Sequence, residues 1–246
     1  MPRPTPLVLL HPFPLDARFW APVIPMLSAS RPVIAPDFPG LGRAEPVAGA
    51  SVDGFADAVA GLIAAEAPGG RAAVCGLSLG GYVALSLVAR HPERVAALIL
   101  ADTRAEPDTP EAAAARHESA AQVRGGGLPA FLDDFTVRLV APGDGDSLAA
   151  ARAIADAQTP EGVAGALEAL AGRGDRRPDL AGVTAPTMVI VGSEDVLTPP
   201  ERSEALVAGI AGSELVVVPG AGHLTALERP DAFARTVVRF LARRLG

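Results

Sequence analysis

The sequence predicts an α/β fold: a mostly parallel sheet flanked by helices, interrupted by one inserted helical lid. Three observations carry this reading. Short apolar runs alternate with amphipathic stretches at both ends of the chain, the pattern of parallel strands joined by helical crossovers. The alternation stops between residues 103 and 183, where every segment reads as helix. Finally, Gly76-Leu77-Ser78-Leu79-Gly80 stands where an apolar run gives way to a helix.

In chain order, Leu7 to Leu10 is a first strand, ending at His11-Pro12-Phe13-Pro14-Leu15-Asp16. Asp16 is placed to N-cap a helix carrying Phe19, Trp20, Val23 and Leu27. Val33 to Ala35 is a second strand, followed by the turn-rich stretch Asp37 to Gly42. A helix from Val52 to Ala65 carries Phe55, Val59, Leu62 and Ile63 at helical spacing. Ala72 to Cys75 is a buried strand, Leu79 to Arg90 a helix, and Val95 to Ala101 the next strand. Ser78 takes the bend between strand and helix. So sharp a turn strains its central residue, and the flanking glycines remove the Cβ atoms that would clash. The hydroxyl is lifted above the sheet beside a helix N-terminus, where negative charge is favoured.

After Asp102 the pattern becomes helical. Thr109-Pro110-Glu111 and Thr159-Pro160-Glu161 use one start chemistry twice: a capping Thr, Pro at the first helical position, and Glu near the positive end. Gly125-Gly126-Gly127 and Pro142-Gly143-Asp144-Gly145 divide the region. Leu128, Phe131, Leu132 and Phe135 fall on one helix face, turned toward the core or toward a pocket. Strand character resumes at Thr187 to Val191, and Thr198-Pro199-Pro200-Glu201 opens a helix. Leu215 to Val218 is the last strand and Ala232 to Arg244 the closing helix. The expected organisation is a core of residues 1–102 and 184–246 with residues 103–183 as a helical cap.

Composition narrows the function classes. A chain of 246 residues, 49% hydrophobic and 20% charged, suits one core with an inserted subdomain and not a disordered segment. A net charge of −7, with no clustered Lys/Arg run, argues against nucleic acid and anionic membrane as partners. The lone cysteine, Cys75, cannot form an internal disulfide and reads as a small core residue. No Cys/His cluster suggests a metal, and nothing calls for a cofactor. Residues 72–89 are apolar, but three glycines and two serines within a strand-turn-helix pattern argue against a membrane span. Met1 to Pro6 lacks the apolar region of a signal peptide, so a soluble cytoplasmic protein is expected, with a homo-oligomer left open.

Taken together these residues resemble the α/β-hydrolase superfamily over nearly the whole chain. His11-Pro12-Phe13-Pro14 looks like its oxyanion loop, and Gly76 to Gly80 like its nucleophile elbow. Gly192-Ser193-Glu194-Asp195 looks like the acid loop and Gly220-Ala221-Gly222-His223 like the histidine loop. Within the superfamily the likeness is to small capped bacterial esterases and 3-oxoadipate enol-lactonase-like proteins. Pro12 stands where most members carry Gly, and Ala44 where many carry Ser after the Gly40-Leu41-Gly42 turn. The chain also starts at what is normally the third strand, so the first antiparallel strands are expected to be missing.

The chemistry can be read residue by residue. A serine hydroxyl is a poor nucleophile until a neighbouring base takes its proton. Of the four histidines, His91 and His117 read as surface residues, and His11 as a support for the oxyanion loop. His223 is the base, on a glycine-flexed loop where the edge loops converge. Asp195 is the favoured acid partner; Asp102 is its rival, or else caps the start of the lid. Glu194 and Asp37 read as structural. The backbone N–H groups of Leu79 and Phe13 are the two expected oxyanion donors, since Pro12 has none and Pro14 confines Phe13 to extended backbone. The resemblance implies a serine hydrolase cleaving a small ester or lactone through an acyl-enzyme on Ser78. A lactone bearing a carboxylate would want a lid cation: Arg116, Arg124 and Arg138 are available, each otherwise a solvated helix-face charge. Two other readings share this fold, a cofactor-free perhydrolase or haloperoxidase on the same triad and a non-catalytic ligand-binding homologue.

Overall fold

A computed structural model describes residues 4–246. Six strands form one sheet in the order β2-β1-β3-β4-β5-β6, and every neighbouring pair is parallel. They are β1 (Leu7–Leu10), β2 (Val33–Ile34), β3 (Ala72–Leu77), β4 (Val95–Ala101), β5 (Thr187–Gly192) and β6 (Glu214–Val218). Every residue of β1, β3 and β5 is buried, which is why these strands read as unbroken apolar runs. The edge strand β6 is half-buried, and its Val217 is exposed.

The flanking helices are α1 (Ile24–Ser28), α2 (Val52–Glu66), α3 (Leu79–Arg90), α8 (Pro200–Gly209), α9 (Thr225–Glu228) and α10 (Pro230–Leu245). Between β4 and β5 lie α4 (Pro110–Gln122), α5 (Leu128–Thr136), α6 (Gly145–Ala155) and α7 (Pro160–Ala171), with no strand among the described residues. Thr109 Oγ1 accepts from the Ala112 N–H and Thr159 Oγ1 from the Gly162 N–H, so both expected caps form. Each contributes about 1 kcal/mol to its helix. Gly126, with φ of 96°, lets the chain turn between α4 and α5. Arg124 then ties this turn to Glu161 and Glu168 on α7.

One expectation is corrected. The single helix after Asp16 is a short 3₁₀ turn (Ala17–Trp20) followed by α1, because Pro22 and Pro25 deny the backbone the donors a continuous helix needs. Asp16 does cap, accepting from the Arg18 N–H at 2.9 Å. The Thr198-Pro199-Pro200-Glu201 stretch does open α8, which begins at Pro200, while the Thr198 hydroxyl bonds Asp195. Among the described residues no helix is long and apolar enough to cross a membrane.

Candidate active site

The site is assembled at the carboxyl edge of the sheet, from the loops that follow β1, β3, β4, β5 and β6. Ser78, between β3 and α3, has φ of 54° and ψ of −112°, a backbone conformation that L-residues rarely hold. The fold holds it there by bonding both backbone groups. Its N–H donates to the Ala101 carbonyl at 3.0 Å, and its own carbonyl accepts from Gly81, Tyr82 and Thr103 Oγ1. Helix α3 can start this close to the sheet because Gly76 and Gly80 lack Cβ. A methyl at Gly80 would collide with the Leu10 carbonyl, and one at Gly76 with the Gly80 carbonyl.

His223, on the loop after β6, brings its Nε2 to 2.8 Å from Ser78 Oγ. Its Nδ1 lies 2.8 Å from Asp195 Oδ2, and both side chains are buried. Asp195 also accepts from Thr198 Oγ1 at 2.7 Å and from the N–H groups of Leu197 and Thr198 at 2.9 Å. Burial alone would raise its carboxyl; the charge and hydrogen bond of His223, with the bonds from Thr198, outweigh this and hold it below the ordinary value. The structure thus brings Ser78, His223 and Asp195 into one hydrogen-bonded line. Thr198, three residues after Asp195, completes that line, and only the Asp-x-x-Thr spacing hinted at it.

Asp102 is fully buried after β4 and has φ of 45°. It does not cap the start of the helical block. Its Oδ1 accepts from the Gly192 N–H at 3.0 Å, and its Oδ2 from Thr225 Oγ1 at 2.6 Å and the Thr225 N–H at 3.3 Å. It therefore pins the end of β5 and the residues just past His223, because the fold brings these closer than the chain leading to α4. Burial, then the nearby charge of Asp195, pushes its carboxyl well above the ordinary range, which favours the neutral form. Glu228 is a second buried carboxylate that sequence reading missed. It accepts from the N–H groups of Gly222 and Leu224, on either side of His223, and from the Ala141 N–H at 2.8 Å.

In the loop after β1, the Leu15 N–H returns to the Pro12 carbonyl at 3.0 Å, which places Phe13 and Pro14 at the centre of a turn. His11 accepts from the Phe38 N–H at Nε2, so its proton sits on Nδ1, 3.1 Å from the Pro12 carbonyl. The ring is neutral, as burial lowering its pKa requires, and it braces this loop. Among the described residues the Phe13 and Leu79 N–H groups have no backbone or side-chain acceptor. Both are buried donors left open. His91 bonds Asp57 at the surface and His117 is exposed.

A cavity of about 220 Å³ opens above Ser78 and His223 and is lined also by Phe13, Tyr82, Phe135 and Leu197. Phe135 packs edge-on against Phe13, with centroids 5.4 Å apart, while Phe131 stacks on Phe135 from behind and does not line the cavity. Leu128 and Leu132 are buried in the core. Of the three block arginines singled out in the sequence, only Arg116 lines the cavity. Arg124 is held by Glu161 and Glu168, and Arg138 lies over the Phe135 ring at 5.2 Å. A wider cleft lined by Asp16, Arg18, Asp37 and Arg43 contains no nucleophile–base pair.

A parallel sheet with a strained serine after β3, an aspartate after β5 and a histidine after β6 defines a hydrolase class of fold. Residues 7–236 match the Alpha/beta hydrolase family, and the chain belongs to it. It is 34% identical over 241 residues to a pimeloyl-[acyl-carrier protein] methyl ester esterase of Neisseria meningitidis, covering 92% of this chain and 88% of that protein. Among solved structures, a thermophilic esterase from Thermogutta terrifontis superposes with a TM-score of 0.94 at 34% identity, over 99% of this chain and 92% of that one. The enol-lactonase from Burkholderia xenovorans LB400 gives 0.87 at 31% identity, over 98% and 92%.

Proposed function

We propose that this protein is a carboxylic ester hydrolase that cleaves a small ester or lactone through an acyl-enzyme on Ser78. The observation that carries the reading is the run of two 2.8 Å contacts from Ser78 Oγ through His223 to Asp195. His223 Nε2 takes the hydroxyl proton as Ser78 attacks the carbonyl carbon, and Asp195 stabilises the imidazolium through Nδ1. The open N–H groups of Phe13 and Leu79 serve the oxyanion. His223 then protonates the departing alcohol, and a water activated by the same ring releases the acid. The esterase and lactonase relatives support a substrate of this class. Residues 103–183 act as a lid over the cavity, a role supported by Phe135 and Arg116 of that block lining it beside Ser78.

p-Nitrophenyl acetate tests this directly. Rapid mixing should give a burst of p-nitrophenolate approaching one equivalent, followed by slower turnover, and a fluorophosphonate should add its mass to the peptide carrying Ser78. Neither burst nor labelling would overturn the reading; halide oxidation with peroxide and acetate, outrunning hydrolysis, would favour the perhydrolase instead.

The lid assignment makes its own prediction. Because Phe135 lines the cavity and Phe131 only backs it, Phe135→Ala should change the hexanoate-to-acetate ratio of kcat/KM by about fivefold or more. Phe131→Ala should change that ratio by less than about twofold. Equal ratios in both variants would remove Phe135 from the acyl pocket.

A further inference from the structure

Three guanidinium groups converge on one carboxylate in the cavity wall. Asp108, between β4 and α4, accepts at Oδ1 from Arg104 Nη2 at 2.9 Å and from Arg173 Nη2 at 2.8 Å. Its Oδ2 accepts from Arg116 Nε at 2.5 Å. The Asp108 side chain is only 1% exposed and that of Arg173 only 3%. Burial alone would raise the Asp108 carboxyl, but its bonds from Arg173 and Arg116 hold it below the ordinary value, so it carries its charge. Glu106, two residues before Asp108, is matched by Arg202 at 3.2 Å. Three cations against one anion leave two positive charges without a partner.

The excess lies where a substrate would be. Arg104, Asp108 and Arg116 line the same cavity as Ser78 and His223. Arg173 stands behind them, with its guanidinium 4.4 Å from the centre of the Tyr82 ring, another lining side chain. Arg116 spends only its Nε on Asp108, so among the described residues its two terminal nitrogens bond no protein group. The buried Nε of Arg104 is likewise without a partner. A structural ion pair needs one cation per carboxylate. Three crowded onto one repel each other, and a second anion relieves that repulsion.

We propose that Arg116 and Arg104, backed by Arg173, form an anion subsite that binds a free carboxylate on the substrate. The substrate class is then a half-ester of a short dicarboxylic acid, or a lactone bearing a carboxylate. The planar guanidinium edge suits a carboxylate, and a cavity of about 220 Å³ suits a short chain between it and the scissile carbonyl. This inference rests on the reading of Ser78 as nucleophile, and it names what the hydrolase discriminates.

The test compares p-nitrophenyl hydrogen glutarate, a monoanion at neutral pH, with its uncharged isostere p-nitrophenyl 5-methylhexanoate. The wild-type protein should favour the anionic ester by about tenfold in kcat/KM at low salt, and added NaCl should erode the preference. Arg116→Gln should lower the anionic-to-neutral ratio by about tenfold, and Arg104→Gln should lower it in the same direction. A ratio that is the same in wild type and both variants overturns the subsite. Calorimetric titration of Ser78→Ala protein with glutarate separates the two readings, since it needs no turnover. Glutarate bound by Ser78→Ala and lost in Ser78→Ala/Arg116→Gln, without hydrolysis of either ester by wild type, would keep the subsite and remove the hydrolase. Hydrolysis of both esters with no glutarate bound would do the reverse.

Discussion

Ser78→Ala is expected to lose ester turnover by a factor of about 10³ or more while keeping its fold. The loss follows from geometry. Ser78 Oγ is the hydroxyl 2.8 Å from the ring nitrogen of His223, and alanine offers nothing to attack with. The fold should survive because Ser78 is fixed through its backbone, by the bonds from Ala101, Gly81, Tyr82 and Thr103, and alanine keeps all of them. Circular dichroism and thermal melting should therefore match the wild type while p-nitrophenyl acetate hydrolysis falls to background. A folded variant with near-normal rates would end the serine mechanism.

Asp195→Asn should be nearly as severe, with kcat down by about 10⁴, or about 5 kcal/mol in the barrier. The amide keeps the shape but no longer compels a proton on Nδ1 of His223, so Nε2 faces Ser78 in the wrong state. Asp102→Asn is the control. Asp102 bonds Gly192 and Thr225 and favours its neutral form, so an amide replaces it with little change in charge. Its activity should fall by less than about tenfold. The reverse ranking, with Asp102→Asn dead and Asp195→Asn active, would exchange the two roles. Acid stability separates them as well. The Asp195 carboxyl is held below its unfolded value, so the stability it contributes is complete above that value and drains away as pH falls through the folded one. In Asp195→Asn that loss should be missing below about pH 4.

Local chemistry was legible in the sequence, and convergence was not. The strand-turn-helix run around Ser78, the glycines that admit α3 and the caps at Thr109 and Thr159 are each written within a few residues. Chain order did not separate Asp102 from Asp195, since both follow strands and both precede His223; only the local loop after Gly192 favoured Asp195. What separates them in space is a set of partners drawn from Gly192, Thr198 and Thr225, brought together only by the pairing of β4 with β5. The arginine cluster is the clearest gap. Arg104 and Asp108 precede α4 while Arg173 follows α7, so no window of sequence contains them all. A helix after Asp16 was read from apolar spacing, but Pro22 and Pro25 overrode the spacing.

Glu228 fastens two separate segments of the chain to one rivet. Its carboxylate holds the N–H groups on both flanks of His223 and also that of Ala141, in the segment between α5 and α6. The contact there is tight enough that a Cβ on Gly222 would strike the Ala141 backbone. The helical block is thus anchored at its midpoint to the loop that carries His223. Helices α4 and α5 lie outside that anchor; α4 packs along α7, and Arg124 in the turn between α4 and α5 is tied to Glu161 and Glu168. The anchor itself cannot lift without dragging His223 away from Ser78. A displacement of the segment at Ala141 would therefore be felt at the contact between His223 and Ser78, whereas one confined to α4 or α5 need not be.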